Sequence, residues 1–298
     1  MTKKRFVVLV NPRGGTRRGI AILDEIRSLF AAAGAELDVQ HTACPGHATS
    51  LAKTLDLSQC DGLCVIGGDG TIHEVVNGLR QRREPAATPL GLIPAGTGNA
   101  VALHLGYTTP REAVQRILAG QTQAVDIARL TMGDQTVDCL NIIGWGVVSD
   151  ILGTADRLRW VGRARYTVAT LWHILFPRRR RARLVLDDRT SEDEFLFVVG
   201  CNTQFTGHRM HLAPRADLRD GKIDVIVVRR ASFGQMLRLF RRLFDGTHVT
   251  LDCVEYHQVR SFRIESQCAD MLTLDGELKG RSPAAVEMLP GAIRLFTG

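Results

Sequence analysis

VIGGDGTIHEVVNGL, residues 65–79, sets two glycines, an aspartate, a third glycine and a threonine between an apolar run and a helical pattern. A tight turn needs one or two glycines. A loop whose backbone N–H groups must close on an anion needs more. A purely structural reading covers part of the stretch: Asp69-Gly70 is a turn dipeptide, and Thr71 with Glu74 matches a capping box, S/T-x-x-E. Gly67 and Gly68 remain unexplained by it. The surplus points to a backbone that approaches a ligand at a helix N-terminus.

Outward from this stretch the chain alternates strand and helix. FVVLV (6–10) reads as a buried parallel strand stopped by Asn11-Pro12, and Ile22, Ile26, Leu29 and Phe30 then recur at helical spacing up to Gly34. AELDVQHTA is a second strand with a helix near 48–55; GLCVI is a third, followed by a helix whose stripe is Ile72, Val75, Val76 and Leu79. PLGLIP is a fourth, with AGTGNA as its loop and VALHL opening the next helix. Such alternation predicts an α/β nucleotide-binding domain with a doubly wound, mostly parallel sheet. The loops NPRGG, GGDGT and AGTGN then share one sheet edge. In NPRGGTRRG, Gly14 and Gly19 have Walker A spacing, but Ile20 stands where that loop needs lysine, and GxGxxG is absent. Arg13, Arg17 and Arg18 suit either phosphate or a solvated turn.

From about residue 125 the pattern changes. VDIARLTM, VDCLNIIGWGV, RARLVL, EFLFVVGCN, KIDVIVVR and YHQVRSFRIES read as strands with few helices between them, which predicts a mainly antiparallel β-sandwich. Helices interrupt it near 161–176 and 233–244. The expected domains are therefore 1–124 and 125–298, with the final segment free to pack back on the first.

The 298 residues carry a formal charge of +7, 45% hydrophobic and 6% aromatic side chains. The basic balance favours anionic partners, while sparse aromatics and the absence of a nucleic-acid motif argue against nucleic acid. Seven scattered cysteines without CxxC spacing read as mostly buried, reduced thiols of a cytoplasmic protein. No stretch approaches the roughly 20 apolar residues of a membrane span, so a soluble protein is expected.

NPRGG, GGDGTIHEVVNGL and PAGTGNAVA, in this order and spacing, resemble the diacylglycerol-kinase-type catalytic domain of lipid kinases, and most of all sphingosine and ceramide kinases and compact bacterial lipid kinases. The resemblance continues through GWGVVSD (144–150), RLRWVGRARY (157–166), APRADLRDG (213–221) and LDGE (274–277), so it covers essentially the whole chain. It implies ATP with Mg²⁺ as cofactors, bound in a cleft between the two domains. It implies that Asn11 and Arg13 contact phosphates and that Thr42 lies by the nucleotide. Gly67, Gly68, Asp69, Gly70, Thr71 and Glu74 would form the phosphate loop, Thr97 would close it, and Arg159 and Arg165 would reach phosphate. Asp217, Asp220 and the Lys222 carbonyl match a structural metal site of bacterial members, although DLRDG is also an ordinary turn.

Phosphoryl transfer to a hydroxyl asks for a carboxylate that accepts the proton. Asp275 and Asp69 compete for this role by resemblance. Asp275 is the preferred base, with Asp69 and Glu277 organising Mg²⁺ and nucleotide. Asp150 and Leu152 fall in the acceptor region, where sphingosine kinases carry an acid at the position of Leu152. A leucine there predicts a neutral lipid, ceramide or diacylglycerol, ahead of sphingosine. FGQMLRLFRRLF (233–244) and the arginines at 178–181 fit either a solvated basic face or peripheral attachment to an anionic membrane. YTVATLWHILF (166–176) fits core or an acyl-chain pocket. The rival readings are a GGDG-loop kinase for a soluble acceptor and a nucleotide- or lipid-binding protein without turnover. Oligomeric state stays open, a homodimer among the options.

Overall fold

Strand β1 (Arg5–Val10) is buried at every residue after Arg5, as a parallel strand covered on both faces must be. The chain continues through α1 (Gly19–Ala32), β2 (Glu36–His41), α2 (His47–Thr54), β3 (Gly62–Gly67), α3 (Asp69–Arg80), β4 (Leu90–Pro94), α4 (Ala100–His104) and α5 (Pro110–Ala119). In this computed structural model, residues 3–14, 17–83 and 88–297 are described, the side chains of Arg159, Arg163 and His208 excepted. The strands pair in parallel in the order β2-β1-β3-β4, with Val8 opposite both Val39 and Cys64 and Val65 opposite Leu92. Ile22, Leu23, Ile26 and Phe30 form the buried stripe of α1, and the Phe30 ring lies 5.2 Å from that of Phe6. Each such fully buried side chain stabilises the fold by roughly 1.5–3 kcal/mol.

Two compact units emerge: residues 1–127 with 290–298, and residues 128–289. In the first, the C-terminal segment adds a parallel neighbour to β4, Leu295 facing Leu90. Strand β5 (Thr122–Met132) leads into the second unit. There follow β6 (Gln135–Cys139), β7 (Ile142–Gly146), α6 (Val147–Arg157), a 3₁₀ segment (Arg159–Ala164), α7 (Arg165–Leu175), β8 (Arg180–Leu186), β9 (Arg189–Phe195) and β10 (Phe197–Cys201). Then come β11 (Ile223–Val228), α8 (Phe233–Arg242), β12 (Glu255–Val259), β13 (Ser261–Ser266), β14 (Met271–Leu274), β15 (Glu277–Arg281) and β16 (Ala284–Phe296).

The second unit is an antiparallel sandwich. One layer contains β9-β8-β13-β16 and the β5–β6 pair; the other runs β12-β11-β10-β7-β14-β15. Trp145, Phe195, Val225, Phe262 and Leu272 pack between the layers, Trp145 edge-on to Phe195 with centroids 6.4 Å apart. Ile142, Val199 and Ile226 face the other way, onto Met236 and Leu239 of α8. Three stretches expected as single strands are each cut in two: Leu140-Asn141 separates β6 from β7, Leu196 separates β9 from β10, and Arg260 separates β12 from β13. At each cut the chain changes layers, and the strand-like pattern on both sides of the cut carries no sign of the change. Helix α6 was not expected either. Of the seven cysteines, only Cys64, Cys139 and Cys201 are buried, so the expectation of mostly buried thiols does not hold.

Candidate active site

In the first unit, β1, β3 and β4 are neighbours, so the loops that follow them meet at the carboxyl edge of the sheet, where α/β folds bind ligands. Side chains tie the three loops together. Asn11 Nδ2 donates to Thr71 Oγ1 at 2.9 Å, while Asn11 Oδ1 accepts from the Arg13 amide at 3.1 Å. Asp69 Oδ1 accepts from the Ala100 amide at 2.9 Å, capping α4. Gly68 and Gly96 meet backbone to backbone: a Cβ on Gly96 would lie 2.6 Å from the Gly68 Cα. That approach is the reason for the surplus glycine. Asn99, left-handed at φ 49°, brackets Gly96 by accepting from its N–H and donating to its carbonyl, both at 2.9 Å.

Helix α3 starts at Gly68 as its N-cap, which has no side chain to accept from the first turn. Its leading amides therefore face the edge that the three loops form. The Thr71–Glu74 capping box is not made. Glu74 instead accepts from the Gly46 and Ala48 amides at 2.9 and 3.2 Å, capping α2 from the side. Thr42 is buried at the end of β2, its amide on the Val10 carbonyl, while Arg13 and Thr97 are exposed.

In the second unit, Asp275 and Gly276 form the two-residue turn between β14 and β15, with φ 48° and 89°. Positive φ at both positions is the type I′ requirement that Asp-Gly meets. The buried Asp275 carboxylate takes three backbone donors from the β6–β7 cut: Leu140 at 3.2 Å, Asn141 at 2.9 Å and Ile142 at 3.0 Å. Asp275 thus terminates one strand, starts another and is itself held rigidly. Glu277, two residues on, is half-exposed and pairs with Lys279 at 2.6 Å.

A diacylglycerol kinase catalytic domain profile matches residues 5–130, and a YegS C-terminal NAD kinase beta sandwich-like domain profile matches residues 141–297. The diacylglycerol kinase of Mycobacterium tuberculosis (strain ATCC 25618 / H37Rv) is 32% identical over 243 residues, 79% of this chain and 76% of that one. The chain belongs to the diacylglycerol kinase family. Sphingosine kinases 2 and 1 of Arabidopsis thaliana are each 28% identical over 311 residues, and the chain spans 65% and 64% of their lengths. A crystal structure of a protein from Bacillus anthracis str. Sterne superposes at TM-score 0.80 with 25% identity over 99% of this chain and 97% of that one. An NAD kinase from Archaeoglobus fulgidus shares the fold at TM-score 0.51.

For a family member, the remaining expected residues sit as follows. Asp150, in the first turn of α6, bonds Arg180 at 2.8 Å, and Leu152, two residues on, is half-buried. Burial alone would lower the Arg180 pKa, but its bonds to Asp150 and Asp270 outweigh burial and raise it above the usual arginine value. Arg165 is turned to its own surroundings, 3.7 Å from Asp156 and 3.0 Å from the Tyr166 hydroxyl. The Arg159 side chain lies outside the described residues. Asp217 is engaged by Arg219, through the amide at 3.1 Å and Nε at 3.2 Å, and Asp220 accepts from the Lys222 amide at 2.9 Å. A cation there would share Asp217 with the exposed Arg219 guanidinium.

Two residues that position the site escaped the sequence reading. Asn99 carries a signal, an asparagine where a left-handed turn closes a glycine loop. Asp270 carries none, because its meaning depends on Arg180, 90 residues away.

Proposed function

We propose that this protein is an ATP-dependent lipid kinase that transfers the γ-phosphoryl group of ATP to the hydroxyl of a neutral lipid. The observation that carries the reading is the Gly68–Gly96 contact, which joins two glycine loops at the mouth of α3 in a chain of the diacylglycerol kinase family. Phosphoryl transfer is chiefly a matter of positioning phosphates and neutralising their charge, and an edge lined with amides and arginine suits that work. Asn11, Arg13, Thr97 and the amides around Gly67–Gly70 would hold the phosphates, with Thr42 beside the nucleotide. Mg²⁺ arriving with ATP would supply charge neutralisation, and Asp69 is the carboxylate of this loop edge suited to orient it. Asp275 would accept the acceptor hydroxyl's proton; its three amide donors fix the direction in which the carboxylate points. Leu152 supports ceramide or diacylglycerol over sphingosine, since a leucine cannot pair with an ammonium.

The lipid would be met at an anionic membrane surface. Val168, Leu171, Trp172 and Leu175 form an exposed stripe along α7, extended by Phe176 and by Trp160, which is 84% exposed. Arg178, Arg179 and Arg181 follow it at the surface. An exposed apolar stripe beside arginines suits insertion at the headgroup boundary. In α8 the apolar side is instead packed in the core through Met236 and Leu239. Among the described residues, no helix is long and apolar enough to cross a membrane.

Transfer of γ-labelled phosphate from ATP, offered together with diacylglycerol, ceramide, sphingosine and NAD, tests the reading. Label in the neutral lipids is expected. Label in NAD alone would favour the soluble-acceptor kinase, and ATP binding with no transfer would favour a protein without turnover.

A further inference from the structure

Arg180 stands inside a run of four arginines, yet only 9% of its side chain is exposed. Its Nη2 donates to Asp150 Oδ1 at 2.8 Å and its Nε to Asp270 Oδ1 at 2.9 Å. Nη1 is sealed from solvent without an acceptor, so this is no fully satisfied structural pair. The three side chains come from α6, the start of β8 and the residue ahead of β14. Asp270 is 12% exposed and Asp150 26%, which makes Asp150 the member within a ligand's reach. His173, whose Nε2 lies 2.9 Å from Thr154 Oγ1, is held towards its neutral form by burial and adds no positive charge.

Two carboxylates and one guanidinium sum to −1, and without Arg180 the cluster would carry −2. A protonated amine approaching Asp150 meets a guanidinium bound to the same carboxylate, whereas an uncharged head group meets no such repulsion. We propose that Arg180 is a specificity-determining residue: it screens Asp150 from cationic acceptors and biases the enzyme towards uncharged ones. This rests on the lipid-kinase reading and on Asp150 bordering the acceptor, and it adds a cause of specificity that Leu152 alone does not supply.

The test compares kcat/KM for a long-chain amino alcohol and for its uncharged N-acyl derivative in matched mixed micelles. Wild type should favour the uncharged acceptor. Arg180→Gln should raise the amine-to-neutral ratio about tenfold or more, because an unscreened carboxylate attracts an ammonium strongly at short range. Arg180→Gln combined with Asp150→Asn should return the ratio towards that of wild type. Asp150→Asn alone, which leaves Arg180 paired with Asp270, keeps the test decisive if Arg180→Gln fails to fold. It should change the ratio less than about threefold, since the carboxylate it removes is already screened. An unchanged ratio in an active Arg180→Gln enzyme would overturn the proposal, as would a selective tenfold loss of the amine acceptor in Asp150→Asn. Either result would leave the lipid-kinase reading intact. If wild type labels no lipid at all, that reading fails and this inference falls with it.

Discussion

Asp69 Oδ1 accepts the Ala100 backbone N–H at 2.9 Å, so the acid of one glycine loop caps the helix that follows the next. Losing a helix cap costs about 1 kcal/mol. Asp69→Ala should therefore lower Tm by a few degrees and also weaken ATP binding, because it frees the two loops from each other. Asp69→Asn keeps an acceptor for Ala100 and should hold Tm near that of wild type. Thermal unfolding with and without ATP checks both; an unchanged Tm in Asp69→Ala would show that the cap carries no weight.

Gly96→Ala places a methyl 2.6 Å from the Gly68 Cα and 2.9 Å from Asn99 Oδ1. The loops must separate, at a cost of about 1–3 kcal/mol, and ATP affinity should fall about tenfold or more. Gly234→Ala is the control: it lies in α8 with open space around it and should stabilise by up to about 1 kcal/mol. Calorimetric ATP titration of both variants separates a loop effect from a general response to added bulk.

Asp224 is fully buried, and burial pushes its carboxyl up to about 6 despite hydrogen bonds from Tyr256 and Gln258. An acid whose folded pKa is raised stabilises in its protonated form. That contribution is complete below the unfolded value of about 3.8 and is lost as pH rises through about 6. Asparagine imitates the protonated acid. Asp224→Asn should match wild type near pH 4 and exceed it by on the order of 2 kcal/mol at pH 7. Urea unfolding across this range would contradict the assignment if the two curves ran parallel.

Membrane attachment predicts two additive losses. Trp172→Ala and Leu175→Ala remove exposed apolar side chains, so vesicle binding should drop while stability stays within about 0.5 kcal/mol. Replacing Arg178, Arg179 and Arg181 by glutamine should weaken binding to anionic vesicles ten- to hundredfold at low salt, at about 1 kcal/mol per basic residue. Arg179, 3.4 Å from Glu194, should contribute least. Arg180 is left out because it is an internal pair, not a surface charge. Cosedimentation that is independent of vesicle charge and of these side chains would exclude the surface as the attachment site.

The legible parts of this protein were those written locally. The apolar runs ending in Asn11, Gly67 and Pro94 announced parallel strands, and the glycines after them announced loops at one edge. The sandwich was legible as a class but not in its joints, because Leu140-Asn141, Leu196 and Arg260 look like strand interior on either side. Long-range pairings were silent as well. Glu74 reads as a cap for its own helix until Gly46 and Ala48 are seen to take it, and four arginines in a row read alike until one is found inside. Exposure of the Leu171 and Trp172 stripe was hidden for the same reason, since an apolar helix face looks the same whether or not something covers it.

The central claim, phosphoryl transfer with Asp275 as proton acceptor, is tested most directly by single-turnover transfer from γ-labelled ATP to diacylglycerol or ceramide in mixed micelles, for wild type and Asp275→Asn. Asparagine tolerates the left-handed turn at φ 48° and keeps an oxygen for the Asn141 and Ile142 amides, so the hairpin should survive. The account predicts labelled lipid from wild type, and about 10²-fold or more slower transfer in the variant with ATP binding retained. Transfer by a folded Asp275→Asn protein at near the wild-type rate would contradict it.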